Sequence, residues 1–225
     1  TIVLDDLTDK KRLEAERRLF ERMVSPAVIQ QLDPDKLQLG GKRTDITVLF
    51  ADVRGFTSFS ESQEPEKLVS ILNRYLAAMA EAVLSQEGTI DKFMGDAIMA
   101  WFNAPVPQAD HTLRAVKAAL ALRDSVEKLY KELPKEAHLA FGAGIHYGDA
   151  ILGLIGTERR LEYTAISDSV NTAKRLQENS ARNQIIISRE AYARVMDQVD
   201  ARPIVPVAAK GKTVPLEVFE VLGLK

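Results

Sequence analysis

The chain has 225 residues, of which 46% are hydrophobic and 28% charged, with a formal net charge of −2. That size fits one globular domain carrying extra elements or a short appendage, and the near-neutral balance argues against a general nucleic-acid binder, which shows a basic excess. There are no cysteines, which excludes disulfides and Cys-based zinc. The apolar runs fall short of the roughly 20 residues of a membrane-spanning helix, and the first residues lack a signal-peptide pattern. The reading is a soluble, cytoplasmic chain without membrane insertion or nucleic-acid partner.

In chain order, Ile2–Leu4 read as the end of a strand, and Thr8 or Asp9 suits the cap of a helix starting at Lys10. Lys10–Arg22 is rich in Lys, Arg and Glu, with Leu13 and Phe20 seven apart. Two readings of it stand level: a solvated helix with a narrow apolar stripe, or a short coiled-coil linker. Asp33-Pro34-Asp35 and Gly40-Gly41 punctuate a loop. A strand then follows at Ile46–Val53, and Leu68, Leu72, Tyr75, Leu76, Met79 and Val83 recur at helical spacing as far as Gly88.

Thr89–Phe93 and Ala97–Phe102 predict a hairpin turning at Met94-Gly95-Asp96. A helix is expected over Ala109–Tyr130, then a second hairpin of Leu139–His146 and Ala150–Ile155 turning at Tyr147-Gly148-Asp149. A helix over Asp168–Gln177, a strand at Gln184–Ile187, a short helix to Val195 and two strands complete the chain. The central β-α-β-β-α-β order is a split βαβ arrangement, an α+β fold of ferredoxin-like or palm type. Its antiparallel-rich sheet carries extra C-terminal elements and helices on one face, leaving the other face free.

Asp52 closes the first strand and Asp96 sits at the hairpin turn, so sheet neighbours would bring two carboxylates together. Each can be read as a turn residue. The alternative is a pair of hard oxygen ligands for Mg²⁺ or Mn²⁺, which would relieve the repulsion between them. Gly55 and Gly95 beside them let backbone amides approach an anion. The loop through Phe56 and Thr57 offers consecutive N–H groups to a phosphate before a helix. Asn171 and Arg175, four apart, share a helix face, either as a solvated polar surface or as a grip on a ribose and a phosphate.

LFADVRGFTSFSE, KFMGDAIMAWF and LEYTAISDSVNTAKRLQ, in this order, resemble the class III nucleotidyl cyclases, bacterial adenylate cyclases most of all. The resemblance runs from about Asp45 to Leu222. It implies a head-to-tail homodimer with active sites at the interface. Two divalent cations, Mg²⁺ or Mn²⁺, would lie at Asp52 and Asp96 with the Val53 carbonyl. Lys92 and Thr164 match the pair that reads the purine edge, Asn171 the ribose-orienting residue and Arg175 the transition-state arginine. Lys212, or alternatively Lys210, matches the triphosphate lysine, and Arg159 or Arg160 is a further phosphate contact.

Lys with Thr implies ATP as substrate and cyclic AMP as product, because guanylate cyclases usually carry Glu and Cys at these two positions. Guanylate cyclase and a non-catalytic ATP-binding dimerisation module are the alternatives. Ser167 replaces the Gly usual in bacterial members. IVLDDLTDKKRLE resembles the end of a PAS-type sensor and its exit helix, so residues 1–43 are expected to be a sensor tail and linker, and 44–225 the catalytic domain.

Overall fold

A computed structural model describes residues 10–16, 25–29, 39–157, 159–208 and 215–225. By contact the chain divides into two units, Thr1–Gln38 and Leu39–Lys225. In the first, residues 10–16 are helical with Leu13 exposed, and Pro26–Ile29 form one helical turn. Ile2–Leu4, Phe20 and Asp33-Pro34-Asp35 lie outside the described residues.

The second unit runs β1 (Gly40–Arg54), α1 (Phe56–Ser60), α2 (Pro65–Leu84), β2 (Thr89–Met94), β3 (Ala97–Phe102), α3 (His111–Glu132), β4 (Ala140–Thr157), β5 (Arg160–Ile166), α4 (Asp168–Glu178), β6 (Gln184–Ser188), α5 (Arg189–Tyr192), β7 (Val199–Val207) and β8 (Leu216–Leu224). The sheet order is β2-β3-β1-β4-β6-β8-β7, with β5 paired to β4. Every pairing is antiparallel except β4 with β6. The first four strands of that order reproduce the split βαβ core read from the sequence.

From Ile46 to Val53 β1 is buried on both faces, which is why that stretch reads as a nearly continuous apolar run. Leu49, Ala51 and Val53 face the larger core with Tyr75 and Met79 of α2 and Val116, Leu122 and Val126 of α3. Tyr75 is fully enclosed there. Its hydroxyl donates to the Ala137 carbonyl at 2.8 Å, and burial pushes its pKa up to about 12. Ile46, Val48 and Phe50 face the other way, into a second core with Met99, Trp101, Leu152 and Ala173. The second face is therefore not free, as the sequence suggested, but carries α4.

Two further expectations are corrected. Leu139–Ile155 is not a hairpin: Tyr147, Gly148 and Asp149 pair with Thr47, Ile46 and Asp45 in the middle of one continuous strand, β4. Gly40-Gly41 is likewise not a loop but the start of β1, opposite Leu154 and Gly153. The long β1 supplies a partner for β4 from Ala140 to Leu154, so the Gly-Asp pair has no turn to make. The glycines serve α4 instead. A Cβ on Gly144 would lie 2.4 Å from the Ala173 carbonyl oxygen, and one on Gly148 would lie 2.3 Å from Ser169 Oγ. The hairpin partner of β4 is β5.

Candidate active site

Asp52 sits near the C-terminal end of β1, opposite Ala97 of β3 on one side and Gly142 of β4 on the other. The Val53 N–H donates to the Asp96 carbonyl at 3.1 Å, which ties the β2–β3 turn to the end of β1 and brings the two aspartates together. Gly95 adopts φ 66° in that turn and Gly55 φ 83° just after β1, left-handed values that favour glycine. Burial raises the Asp52 carboxyl above its ordinary range. Arg54 opposes the shift, the nearby charge of Asp96 adds to it, and Gln177 and the Gly142 N–H oppose it through hydrogen bonds.

Asp52 Oδ1 is buried without a hydrogen-bond partner, although Arg54 Nε approaches it at 3.2 Å. The two charges touch out of line, since Arg54 Nε is also without a hydrogen bond. Arg54 instead donates through Nη2 to the Gln177 carbonyl and to Ser180 Oγ at the end of α4. Its guanidinium crosses Gly142, where a Cβ would lie 2.3 Å from Nε. Two adjacent carboxylates, one with a buried and unpartnered oxygen, suit a hard divalent cation. Among the described residues no group of three or more His, Cys, Asp or Glu side chains could hold a metal, so a cation here would draw on backbone or substrate oxygens too.

α4 brings Asn171, exposed, and Arg175, half-buried, to the same face of the sheet as Asp52. Arg175 Nη1 is buried and unpartnered. Among the described residues no hydrogen bond or ion pair joins Asp52 or Asp96 to Asn171 or Arg175. Ser167 caps α4: its backbone is extended at φ −174°, and its hydroxyl accepts from the Val170 N–H at 3.1 Å. An extended φ suits any residue, and a Ser cap stabilises a helix start by about 1 kcal/mol over Ala.

The second cluster lies between β2 and β5. Lys92 forms an ion pair with Glu162, and Thr164 Oγ1 donates to Asp91 Oδ2 at 2.8 Å. Lys92 Nζ also lies 4.0 Å from Asp91 Oδ1. Tyr163 packs on Trp101 with ring centroids 6.4 Å apart, which anchors β5 over β3. Lys92 and Thr164 are thus brought together within one chain. Phe56 and Thr57 form the first turn of α1, Phe56 half-buried and Thr57 exposed, while Arg159 and Arg160 are exposed at the β4–β5 end. Lys210 and Lys212 lie outside the described residues.

The sequence reading missed the side chains of Arg54, Asp91 and Glu162, taking Arg54 only for its backbone N–H. Arg54 was findable, because position i+2 on a strand shares the face of Asp52. Asp91 was not, because alternation sets it opposite Lys92.

The adenylate and guanylate cyclase catalytic domain family matches residues 41–219. Adenylate cyclase 1 of Rhizobium meliloti is 34% identical over 186 residues, covering 81% of this chain and 28% of that protein. The crystal structure of the adenylyl cyclase CyaB from P. aeruginosa superposes with a TM-score of 0.78 at 35% identity, over 82% of this chain and 96% of that one. That of the guanylyl cyclase Cya2 does so equally well, with a TM-score of 0.78 at 35% identity over 83% and 96%. Structural likeness alone does not separate the two activities, while the relatives with a named activity at about 35% identity are adenylate cyclases, and the chain spans little more than a quarter of the Rhizobium meliloti relative. It belongs to the adenylate and guanylate cyclase catalytic domain family.

Proposed function

We propose that this domain converts ATP to 3′,5′-cyclic AMP and pyrophosphate, at sites shared by two copies of the chain in a head-to-tail homodimer. The observation that carries the phosphoryl chemistry is the Asp52–Asp96 pair, with one buried oxygen of Asp52 lacking a partner. Two Mg²⁺ or Mn²⁺ ions held by Asp52, Asp96 and the Val53 carbonyl would lower the pKa of the ribose 3′-hydroxyl and neutralise charge on the triphosphate.

The 3′-hydroxyl gives up its proton to solvent, its oxygen attacks the α-phosphorus, the bond to the bridging α–β oxygen breaks, and pyrophosphate departs. Arg175, with an unpartnered guanidinium nitrogen, stabilises the charge that grows on the α-phosphoryl oxygens. Asn171 orients the ribose. Lys212 or Lys210, Arg159 and the amides of Phe56 and Thr57 hold phosphate. Positioning and electrostatics carry the rate.

Lys92 and Thr164 favour ATP over GTP. A lysine ammonium donates to adenine N1, where guanine carries a hydrogen, and a threonine oxygen accepts from the adenine amine. The segment before β1 fits a sensor-domain tail and linker that feeds the catalytic domain, the boundary falling before Gly40 rather than at 43/44, since Gly40–Arg43 already pair with β4.

The test is product formation from ATP and from GTP, each with Mn²⁺ and with Mg²⁺, at several protein concentrations. Cyclic AMP from ATP, with specific activity rising with concentration, is expected. Cyclic GMP instead would overturn the reading of Lys92 and Thr164, and no cyclic product from folded dimer would leave a regulatory nucleotide-binding module. Mixing inactive Asp52→Ala chains with inactive Arg175→Ala chains should restore one intact site per mixed dimer. If dimers exchange but activity stays absent, the shared-site arrangement is wrong.

A further inference from the structure

Asp91 is a charged residue whose side chain is only 2% exposed. Burying a carboxylate is unfavourable unless its oxygens are matched, and the partners it finds are Thr164 and, more distantly, Lys92. It reaches them through an irregularity in β2. The β2–β3 register shifts between Ile90 and Lys92, leaving Asp91 as the extra residue of a bulge. In a regular strand Asp91 and Lys92 would point to opposite faces. The bulge re-aims one of them, so that both reach β5, Lys92 at Glu162 and Asp91 at Thr164.

We propose that Asp91 is a positioning residue for base selection: it fixes the Thr164 hydroxyl hydrogen on its own carboxylate and so leaves the Thr164 lone pairs to accept from a purine 6-amino group. The inference rests on the reading of Lys92 and Thr164 as the base-contacting pair. A threonine hydroxyl has one hydrogen and can rotate to act as donor or acceptor. Left free, it would donate to the 6-oxo group of guanine as readily as it accepts from adenine. An ionised carboxylate only accepts, so the 2.8 Å contact commits the single hydrogen. Selectivity then belongs to the Asp91–Thr164 pair rather than to Thr164 alone.

The experiment compares ATP with purine riboside triphosphate, which keeps N1 and lacks the 6-amino group. Their kcat/KM ratio is measured with Mn²⁺, and Kd values for the 3′-deoxy forms of both give the same comparison without turnover. The wild-type chain should favour the amino nucleotide roughly tenfold or more. Thr164→Val should bring the ratio near one. Asp91→Leu and Asp91→Ala free the Thr164 hydroxyl to donate as well as accept, so they should keep that preference but raise the use of inosine triphosphate, whose 6-oxo group accepts, roughly tenfold relative to ATP, a gain that disappears in the Asp91→Leu/Thr164→Val double variant.

Each ratio compares two nucleotides on one preparation, so it is insensitive to the fraction of folded protein. If the Asp91 variants leave the ratio of ATP to inosine triphosphate as it is in the wild-type chain, even with lowered total activity, Asp91 has only a structural role and the inference is overturned. If Thr164→Val leaves the ratio unchanged, or the wild-type chain does not distinguish the two nucleotides, the base-contact reading itself fails and this inference with it.

Discussion

The two carboxylate clusters of this domain are satisfied in opposite ways. At the end of β1, Asp52 faces Asp96, keeps a buried oxygen without a hydrogen bond, and touches Arg54 only out of line. Between β2 and β5, Asp91 holds the Thr164 hydroxyl and Glu162 holds Lys92, whose hydrogen bond first and charge second draw the Glu162 carboxyl below its usual range. The first cluster has surplus negative charge and reads as a place for cations. The second is internally matched and reads as a shaped surface with its donors and acceptors already oriented. Preorganisation of this kind gives selectivity, whereas surplus charge gives affinity for a counter-ion.

The sharpest way to break the comparison is to remove the surplus. Asp52→Ala or Asp96→Ala should lose several kcal/mol of barrier lowering, about a thousandfold or more in turnover. Mn²⁺ should also stop raising the melting temperature of either variant, which calorimetry checks independently of activity; a variant that keeps metal-dependent stabilisation would refute the cation reading. Arg175→Ala follows, with roughly 2.7–4 kcal/mol lost in kcat, by analogy with losing one oxyanion-hole donor. An unchanged turnover number would remove Arg175 from the chemistry.

Gly144→Val tests the packing of α4 against β4. A Cβ at Gly144 meets the backbone of α4 at 2.3 Å, so the helix must shift. Overpacking of this kind destabilises by typically 1–3 kcal/mol, readable in denaturant melts, and wild-type stability would mean that α4 does not pack on Gly144.

The smallest effect concerns His111, which is buried and bonded through Nδ1 to Thr47 Oγ1 at 2.8 Å. Burial, with the Arg194 charge second, lowers its pKa below the ordinary 6.5. The unfolded chain therefore takes up a proton below pH 6.5 that the folded chain refuses, so stability should fall as pH drops from 7 toward 5.5. Replacing His111 with Gln should flatten that slope, and an unaltered slope would assign it to other groups.

Much of this was legible in the sequence because it depends on local pattern. The apolar spacing of α2 and α3, the hairpin around Gly95-Asp96 and the split βαβ order all follow from periodicity and turn chemistry. So did Asp52, Asp96, Asn171 and Arg175 as candidates, through their positions on strand end, turn and helix face. Three things required the tertiary structure. Tyr147-Gly148-Asp149 has the composition of a turn, and only the unbroken partner β1 keeps it in a strand. α4 covers the second face of the sheet because Gly144 and Gly148 admit it, and nothing within α4 itself states where it will dock. Asp91 joins Thr164 only because a bulge breaks the alternation of β2. In each case the deciding interaction is between residues far apart in the chain, and a pattern read along one segment contains no term for it.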